Sequence, residues 1–264
     1  MSLLEAALLG IVQGLTEFLP VSSSGHLVLG QALLDIDAPG VTFEVVVHLA
    51  TLCAVLWVYR ERVGELLVGM ARRRGDAWRY AGLILLASIP AGVAGILGRR
   101  WFEDAFGRPV LAALMLLVTG VIVYTVRFTA TRDGDRELDA RRAVWVGAAQ
   151  ALAIVPGISR SGSTVALGIG MGVAPVRMAE FSFLLSVPAI LGAGVLQLGH
   201  VDEASALGAG PLVMGFITAA LSGVLAIRLF VHMLRALTFH RFAWYCWAAG
   251  SAYLLAALIV PGLR

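Results

Sequence analysis

Ten apolar stretches divide this chain, and the short segments between them carry most of its charge. They run roughly over 2–20, 25–34, 41–59, 80–98, 109–126, 143–155, 161–173, 179–199, 210–230 and 242–261. A helix needs about 20 apolar residues to cross a bilayer, whereas runs of about 10–14 suit re-entrant segments. The stretches at 41–59, 80–98, 109–126, 179–199, 210–230 and 242–261 therefore read as six full spans. The pairs 2–20 with 25–34 and 143–155 with 161–173 are broken by Pro, Gly and hydroxyl residues. Each pair reads as a helical hairpin that enters and leaves on one side. Backbone bared at membrane depth is tolerated only where protein or a water-filled cavity satisfies it, so two broken hairpins already point to a site.

Composition removes the rival classes. The chain is 59% hydrophobic and 14% charged with a mean hydropathy of +0.87, against about 45–50% apolar and about 25% charged in a soluble domain. A water-soluble globule, a disordered chain and a nucleic-acid binder are excluded. The net charge of +3 arises from 20 arginines and no lysine. These cluster in short connections, which is membrane topology rather than a DNA-binding face. Cys53 and Cys246 lie inside apolar runs and read as buried small hydrophobes. The N-terminus has no basic n-region and carries Glu5, Gln13 and Glu17, so it is not read as a cleaved signal.

The arginines also orient the chain. Six lie in 60–79 (Arg60, Arg62, Arg72, Arg73, Arg74, Arg79), five in 127–142, three in 228–241, and Arg177 follows the second hairpin. Six spans and two hairpins put all fifteen on one side, facing the acidic connections at Asp35, Asp37, Asp202 and Glu203 across the membrane. By the positive-inside rule both termini are outside.

An internal repeat supports this count. Residues 10–26 and 147–164 align at an offset of 137, pairing Gln13 with Gln150, Leu15 with Leu152, Ser22 with Ser159, Ser24 with Ser161 and Gly25 with Gly162; Pro20 and Pro156 slip by one. The predicted architecture is one all-α membrane domain over 1–264, with repeats of about 1–127 and 143–264 joined by a cytoplasmic loop at 127–142. Each half holds one hairpin and three spans. Three is odd, so the second half is inverted, and such repeats place their site near the midplane where the breaks meet.

The first break carries Gln13 and Glu17 on one helical face, then Pro20, Ser22, Ser23, Ser24, Gly25 and His26. A carboxylate inside a membrane segment marks a function by default, although Glu17 could also cap the next half-helix. The serines open that half-helix, which makes either an anion site or plain N-caps. The second break carries Pro156, Gly157, Ser159, Arg160, Ser161, Ser163 and Thr164. An arginine among hydroxyl residues at membrane depth suits a phosphate, whose oxygens its planar fork matches. A structural pair with Glu17 is the alternative, and the two can coexist in the empty site. Glu44 and Glu180, also in apolar runs, read as hydrogen-bond acceptors supporting the hairpins rather than as a second carboxylate pair.

These motifs resemble the undecaprenyl-diphosphate phosphatases of the bacitracin-resistance type. The pattern (E/Q)xxxE then PVSSxGH stands here as Gln13 to His26, and PGxSRSxxT as Pro156 to Thr164. TFEVV at 42–46 and EFSFLLSVP at 180–188 are similar as well, so the likeness covers essentially the whole chain. The resemblance implies a hydrolase acting on a phosphoric anhydride. Its substrate is the C55 prenyl diphosphate, cut to the monophosphate to recycle the lipid carrier of peptidoglycan synthesis. It also implies the bacterial cytoplasmic membrane, a site facing its outer side, a divalent cation (Mg2+ or Ca2+), and bacitracin resistance on overproduction. Membrane lipids are the expected surroundings, nucleic acid is not a partner, and a homodimer is open. In that scheme Arg160, Ser159, Ser161 and Thr164 hold phosphate with Ser22 and Ser24. Glu17 binds the cation with Gln13, and Ser23 is the nucleophile with His26 as general base, direct attack by water staying open. Gln13 stands where many members have Glu and cannot act as a base. A phosphatidic-acid-phosphatase motif needs a lysine that this chain lacks. A transporter, which inverted repeats also suit, would release no phosphate.

Overall fold

The structure, a computed structural model, describes residues 1–34, 40–130, 134, 136–197, 208–260 and 263. The acidic connections at Asp35, Asp37, Asp202 and Glu203 lie outside the described residues, as do Arg132 and Arg264. Twelve α-helices are described: α1 (Leu3–Phe18), α2 (Ser23–Leu34), α3 (Gly40–Val58), α4 (Arg60–Ala71), α5 (Gly75–Leu97), α6 (Arg99–Phe106), α7 (Pro109–Thr129), α8 (Ala140–Leu152), α9 (Arg160–Gly170), α10 (Pro175–Gln197), α11 (Ala209–Arg235) and α12 (Phe242–Ile259). Five are long and apolar enough to span, and α3 with α4, bent by 77°, makes a sixth. The chain is an all-α, multi-pass membrane protein.

The bundle is apolar on its outer face and holds a set of buried polar residues within a largely apolar core. Leu85, Ile89, Val93, Ile96 and Leu97 line the outer face of α5 at 51–82% exposure, a patch no soluble monomer of this size would show. The buried polar residues lie inside, among them Gln13, Ser22, Thr119, Gln150, Ser159, Ser161, Thr164 and Ser182. Helices that cannot rely on a hydrophobic drive in lipid approach through small residues. Gly10 of α1 sits so close to α11 that a Cβ there would fall 2.5 Å from the Gly215 oxygen. Gly147 of α8, its partner in the repeat, meets the Ala87 oxygen of α5 at 2.3 Å by the same construction.

Packing exchanges between the halves. As α1 runs along α11, α8 runs along α5; as α3 contacts α11, α10 contacts α5; and α7 pairs with α12.

The arginine-rich segments are not loops throughout. Residues 60–71 form α4, Arg79 lies inside α5, Arg99–Phe106 form α6, and α11 continues to Arg235. Hydropathy misses such elements because their charged faces lie outside the apolar span. Cys53 also departs from expectation: Cys246 is buried, but Cys53 is exposed on the outer side of α3, and both are free thiols. Glu180 takes Arg62 Nε at 2.9 Å and the Tyr80 hydroxyl at 3.2 Å, tying α10 to α4 and α5 rather than to a hairpin. The Glu44 carboxylate has no hydrogen bond among the described residues, and only its backbone oxygen is engaged, by His48 Nδ1 at 2.7 Å.

Candidate active site

Each break is capped in the same way. Gly25 N donates to Ser22 Oγ at 3.2 Å at the head of α2, and Gly162 N donates to Ser159 Oγ at 3.1 Å at the head of α9. The repeat at an offset of 137 is thus a repeat of N-caps. Ser22 reaches its position with φ at +65°, a left-handed conformation that is uncommon outside glycine.

The two breaks touch through glycine. A Cβ on Gly25 would stand 2.9 Å from the Gly157 Cα, and one on Gly157 would stand 2.1 Å from the Ala112 oxygen of α7. Gly157 also has φ at +95°, so the position asks for glycine twice over. Backbone groups bared by the breaks find partners across the contact, as burial requires. Thr119 Oγ1 of α7 donates to the Gly157 oxygen at 2.7 Å and accepts from Ser159 N at 2.9 Å. Ser161 Oγ donates to the Leu19 oxygen at 3.2 Å, and Cys246 Sγ lies 3.5 Å from the Pro20 oxygen.

Glu17 is the centre of the polar cluster. Its Oε1 accepts from Arg160 Nη2 at 2.7 Å, and its Oε2 accepts from Ser23 Oγ at 2.7 Å and Gln13 Nε2 at 3.1 Å. His48 of α3 brings Nε2 to 3.7 Å of the same oxygen. The Glu17 side chain is only 9% exposed and that of Arg160 15%. A charge so placed needs both counter-charge and hydrogen bonds, and Glu17 has them from α1, α2, α3 and α9. The other fork of Arg160 donates to the Ser182 oxygen at 3.1 Å, which fixes the guanidinium plane.

These groups border a cavity of about 210 Å³. Glu17, Ser22, Ser23, Ser24, Ser159 and Arg160 line it, together with Ile154, Ile158 and Phe106. Four expected site residues are not in its lining, and one of them, Gln13, is fully buried and reaches the site only through Glu17. Thr164 is fully buried, its hydroxyl held by the Arg160 oxygen and by Ser182 Oγ, each at 2.7 Å. Ser161, 1% exposed, ties the hairpins together through Leu19. His26 does not meet Ser23: its Nδ1 is 2.8 Å from the Ser22 oxygen and its Nε2 2.7 Å from the Tyr245 hydroxyl, the rings stacked with centroids 5.6 Å apart. With Nδ1–H donated to a carbonyl, Nε2 accepts from Tyr245, so neither nitrogen is directed at the serine.

His48, Ser182, Tyr245 and Phe106 were not singled out by sequence. The TFEVV and FSFLL segments flank His48 and Ser182 and are the one signal that could have found them.

Among the described residues no three of His, Cys, Asp and Glu converge as a metal cage. Glu17 and the Gln13 amide do fit a hard cation in part, since Gln13 Oε1 is buried with no hydrogen-bond partner. One carboxylate with substrate oxygens completing the shell is how Mg2+ is commonly held.

Fold and site together define a class: a multi-pass helical membrane protein whose two broken hairpins meet around a buried carboxylate–arginine pair. Residues 6–252 match the family described as Bacitracin resistance protein BacA, and the chain belongs to that family. It is 43% identical over 263 residues to an undecaprenyl-diphosphatase of Salinibacter ruber, covering 94% of this chain and 96% of the relative. It is 41% identical over 273 residues to that of Rubrobacter xylanophilus, covering 98% and 99%. The protein of the same name from Methanobrevibacter smithii is 35% identical over 274 residues, covering 98% and 99%.

Proposed function

We propose that this chain is an undecaprenyl-diphosphate phosphatase of the bacterial cytoplasmic membrane, releasing phosphate from the C55 prenyl diphosphate and leaving the monophosphate. Recycling that carrier would serve peptidoglycan synthesis and confer bacitracin resistance on overproduction. The observation that carries the reading is Glu17 held between Ser23 and Arg160, at 2.7 Å from each, in a chain of this family.

The geometry supports a division of labour. Phosphoryl transfer asks chiefly for positioning and for neutralisation of charge. The Arg160 fork turns from Glu17 to the terminal phosphate, and the serines at the two helix starts receive its remaining oxygens. Ser23 Oγ attacks phosphorus, the bond to the prenyl monophosphate breaks, and the Ser23 proton passes to Glu17 Oε2. Glu17 passes that proton to the departing prenyl monophosphate; water then attacks the phosphoserine, giving a proton to Glu17, which returns it to Ser23 Oγ as that oxygen leaves phosphorus. Glu17 replaces His26 as the base in this scheme. His26 instead positions the break through Ser22 and Tyr245. Glu17 and Gln13 would hold a divalent cation, which supplies charge neutralisation to the bound diphosphate.

Fifteen arginines on one side support an outward-facing first hairpin, and with it substrate entry from the outer leaflet. The test is phosphate release by the purified protein from C15 and C55 prenyl diphosphates, with and without chelator. Phosphate is expected from the C55 substrate, and its loss on chelation. A protein that moves the lipid without releasing phosphate is a transporter, and the proposal fails.

A further inference from the structure

The second hairpin has a cavity at each end. Its tip holds Ser159 and Arg160 at the site described above, and its base opens into a separate space of about 430 Å³. Helix α9 (Arg160–Gly170) connects the two, so they lie roughly 15 Å apart along its axis. The basal cavity has an apolar floor of Leu167 and Met171, an aromatic edge at Trp145, and a rim of Arg136, Arg141 and Arg142 with Asp139 among them. Trp145 is 56% exposed, as an aromatic residue at the headgroup level of a bilayer would be.

The rim arginines divide by their partners. Arg142 is engaged by Asp139 and by the Glu137 oxygen at 3.2 Å, while Glu137 pairs with Arg79 at 3.4 Å. Among the described residues Arg136 and Arg141 have no ion pair. Their placement also runs against local preference. Arg141 and Arg142 stand in the first turn of α8, where positive charge is unfavourable; the N-cap Asp139 offsets part of it, accepting from Arg142 N at 2.8 Å. Arg136 lies over the turn after α9, its backbone N donating to the Gly172 oxygen at 3.3 Å, with Gly172 at φ +85°.

We propose that this basal cavity binds an anionic glycerophospholipid. Arg136 and Arg141 grip its phosphate, and Leu167, Met171 and Trp145 receive the start of its acyl chains. Basic pockets between helices at the cytoplasmic side are built for such headgroups, and the two guanidiniums supply the charge complementarity. The site is independent of the phosphatase reading.

The test is native mass spectrometry of the purified full chain titrated with phosphatidylglycerol or phosphatidylcholine. One phosphatidylglycerol should bind at least ~10-fold more tightly than phosphatidylcholine, as charge-assisted bonds to phosphate predict. Arg136→Gln with Arg141→Gln should abolish that preference, and Arg99→Gln with Arg100→Gln, which removes the same charge elsewhere, should keep it. Leu167→Trp fills the cavity without touching its charges and should exclude the lipid, so the test stands if the double variant fails to fold. A preference that survives both pocket changes overturns the proposal. So does equal loss in the Arg99 and Arg100 variant, or displacement of the lipid by millimolar inorganic phosphate.

Discussion

Arg160 Nη2 donates to Glu17 Oε1 across 2.7 Å, although 143 positions separate them in sequence. The pair joins the tips of two hairpins and leaves each charge with a partner until substrate arrives. In the proposed scheme an entering diphosphate competes with Glu17 for one guanidinium, which would make binding and release of the carboxylate the same event.

Arg160→Lys should therefore be nearly inactive although charge is kept. One ammonium cannot serve both the Ser182 oxygen and a phosphate as the fork does. A loss of about 2–4 kcal/mol in transition-state binding, or roughly 30- to 1000-fold in turnover, is expected. Phosphate release within a few-fold of wild type would remove Arg160 from the phosphate site.

Glu17→Gln should abolish turnover, since it removes base and counter-charge together. Gln13→Glu should keep activity but sharpen its dependence on cation, because two buried carboxylates four residues apart cannot both ionise unaided. Cation titrations of the two variants separate these outcomes; an unchanged titration for Gln13→Glu places the metal elsewhere.

Ser23→Ala should lose at least about a thousandfold in rate, the scale of a lost nucleophile. Tyr245→Phe should lose about tenfold or less, because it removes only the hydrogen bond that steadies His26. A phosphoserine trapped on Ser23 after acid quench would establish the covalent step. Equal losses in Ser23→Ala and Tyr245→Phe would return His26 to the role of base.

Gly157→Ala should destabilise the fold, since its Cβ would stand 2.1 Å from the Ala112 oxygen at φ +95°. Backbone strain of this kind is worth about 1–3 kcal/mol before the clash is counted. A thermal midpoint equal to wild type would mean that the hairpins do not meet as described.

Single cysteines can report sidedness in a background without Cys53 and Cys246. Glu103→Cys should react with an impermeant thiol reagent on intact cells, whereas Gly75→Cys and Glu137→Cys should react only after lysis. Labelling of Glu137→Cys in intact cells would break the proposed orientation.

Much of this was legible because it is local. Pro20 and Pro156 interrupt apolar runs, so the breaks announce themselves, and Glu17 and Arg160 are conspicuous as charges at depth. Their pairing could be weighed from sequence because the repeat set the breaks against one another. His48 was not legible: one histidine inside an apolar helix carries no sign of what it faces, and only the crossing of α3 brings it to Glu17. Tyr245 meets His26 across 219 positions, a contact no spacing rule reaches. Thr164 sits in a phosphate-like motif, yet its hydroxyl satisfies the helix that bears it, a pairing the motif alone does not announce. Helices α4 and α6 were lost for the opposite reason, their charge hiding regular structure.

The repeat carries a broken symmetry. The position matching Glu17 in the second half is Ile154, which lines the same cavity, and the position matching Ser23 is Arg160. A near-symmetric frame thus encloses a chamber lined by both charged and apolar side chains. Under the proposed function, a lipid diphosphate placed there would turn its headgroup to Arg160 and its first prenyl unit to Ile154. Orientation of the scissile bond would then follow from the uneven lining, without any side chain having to grip the long tail.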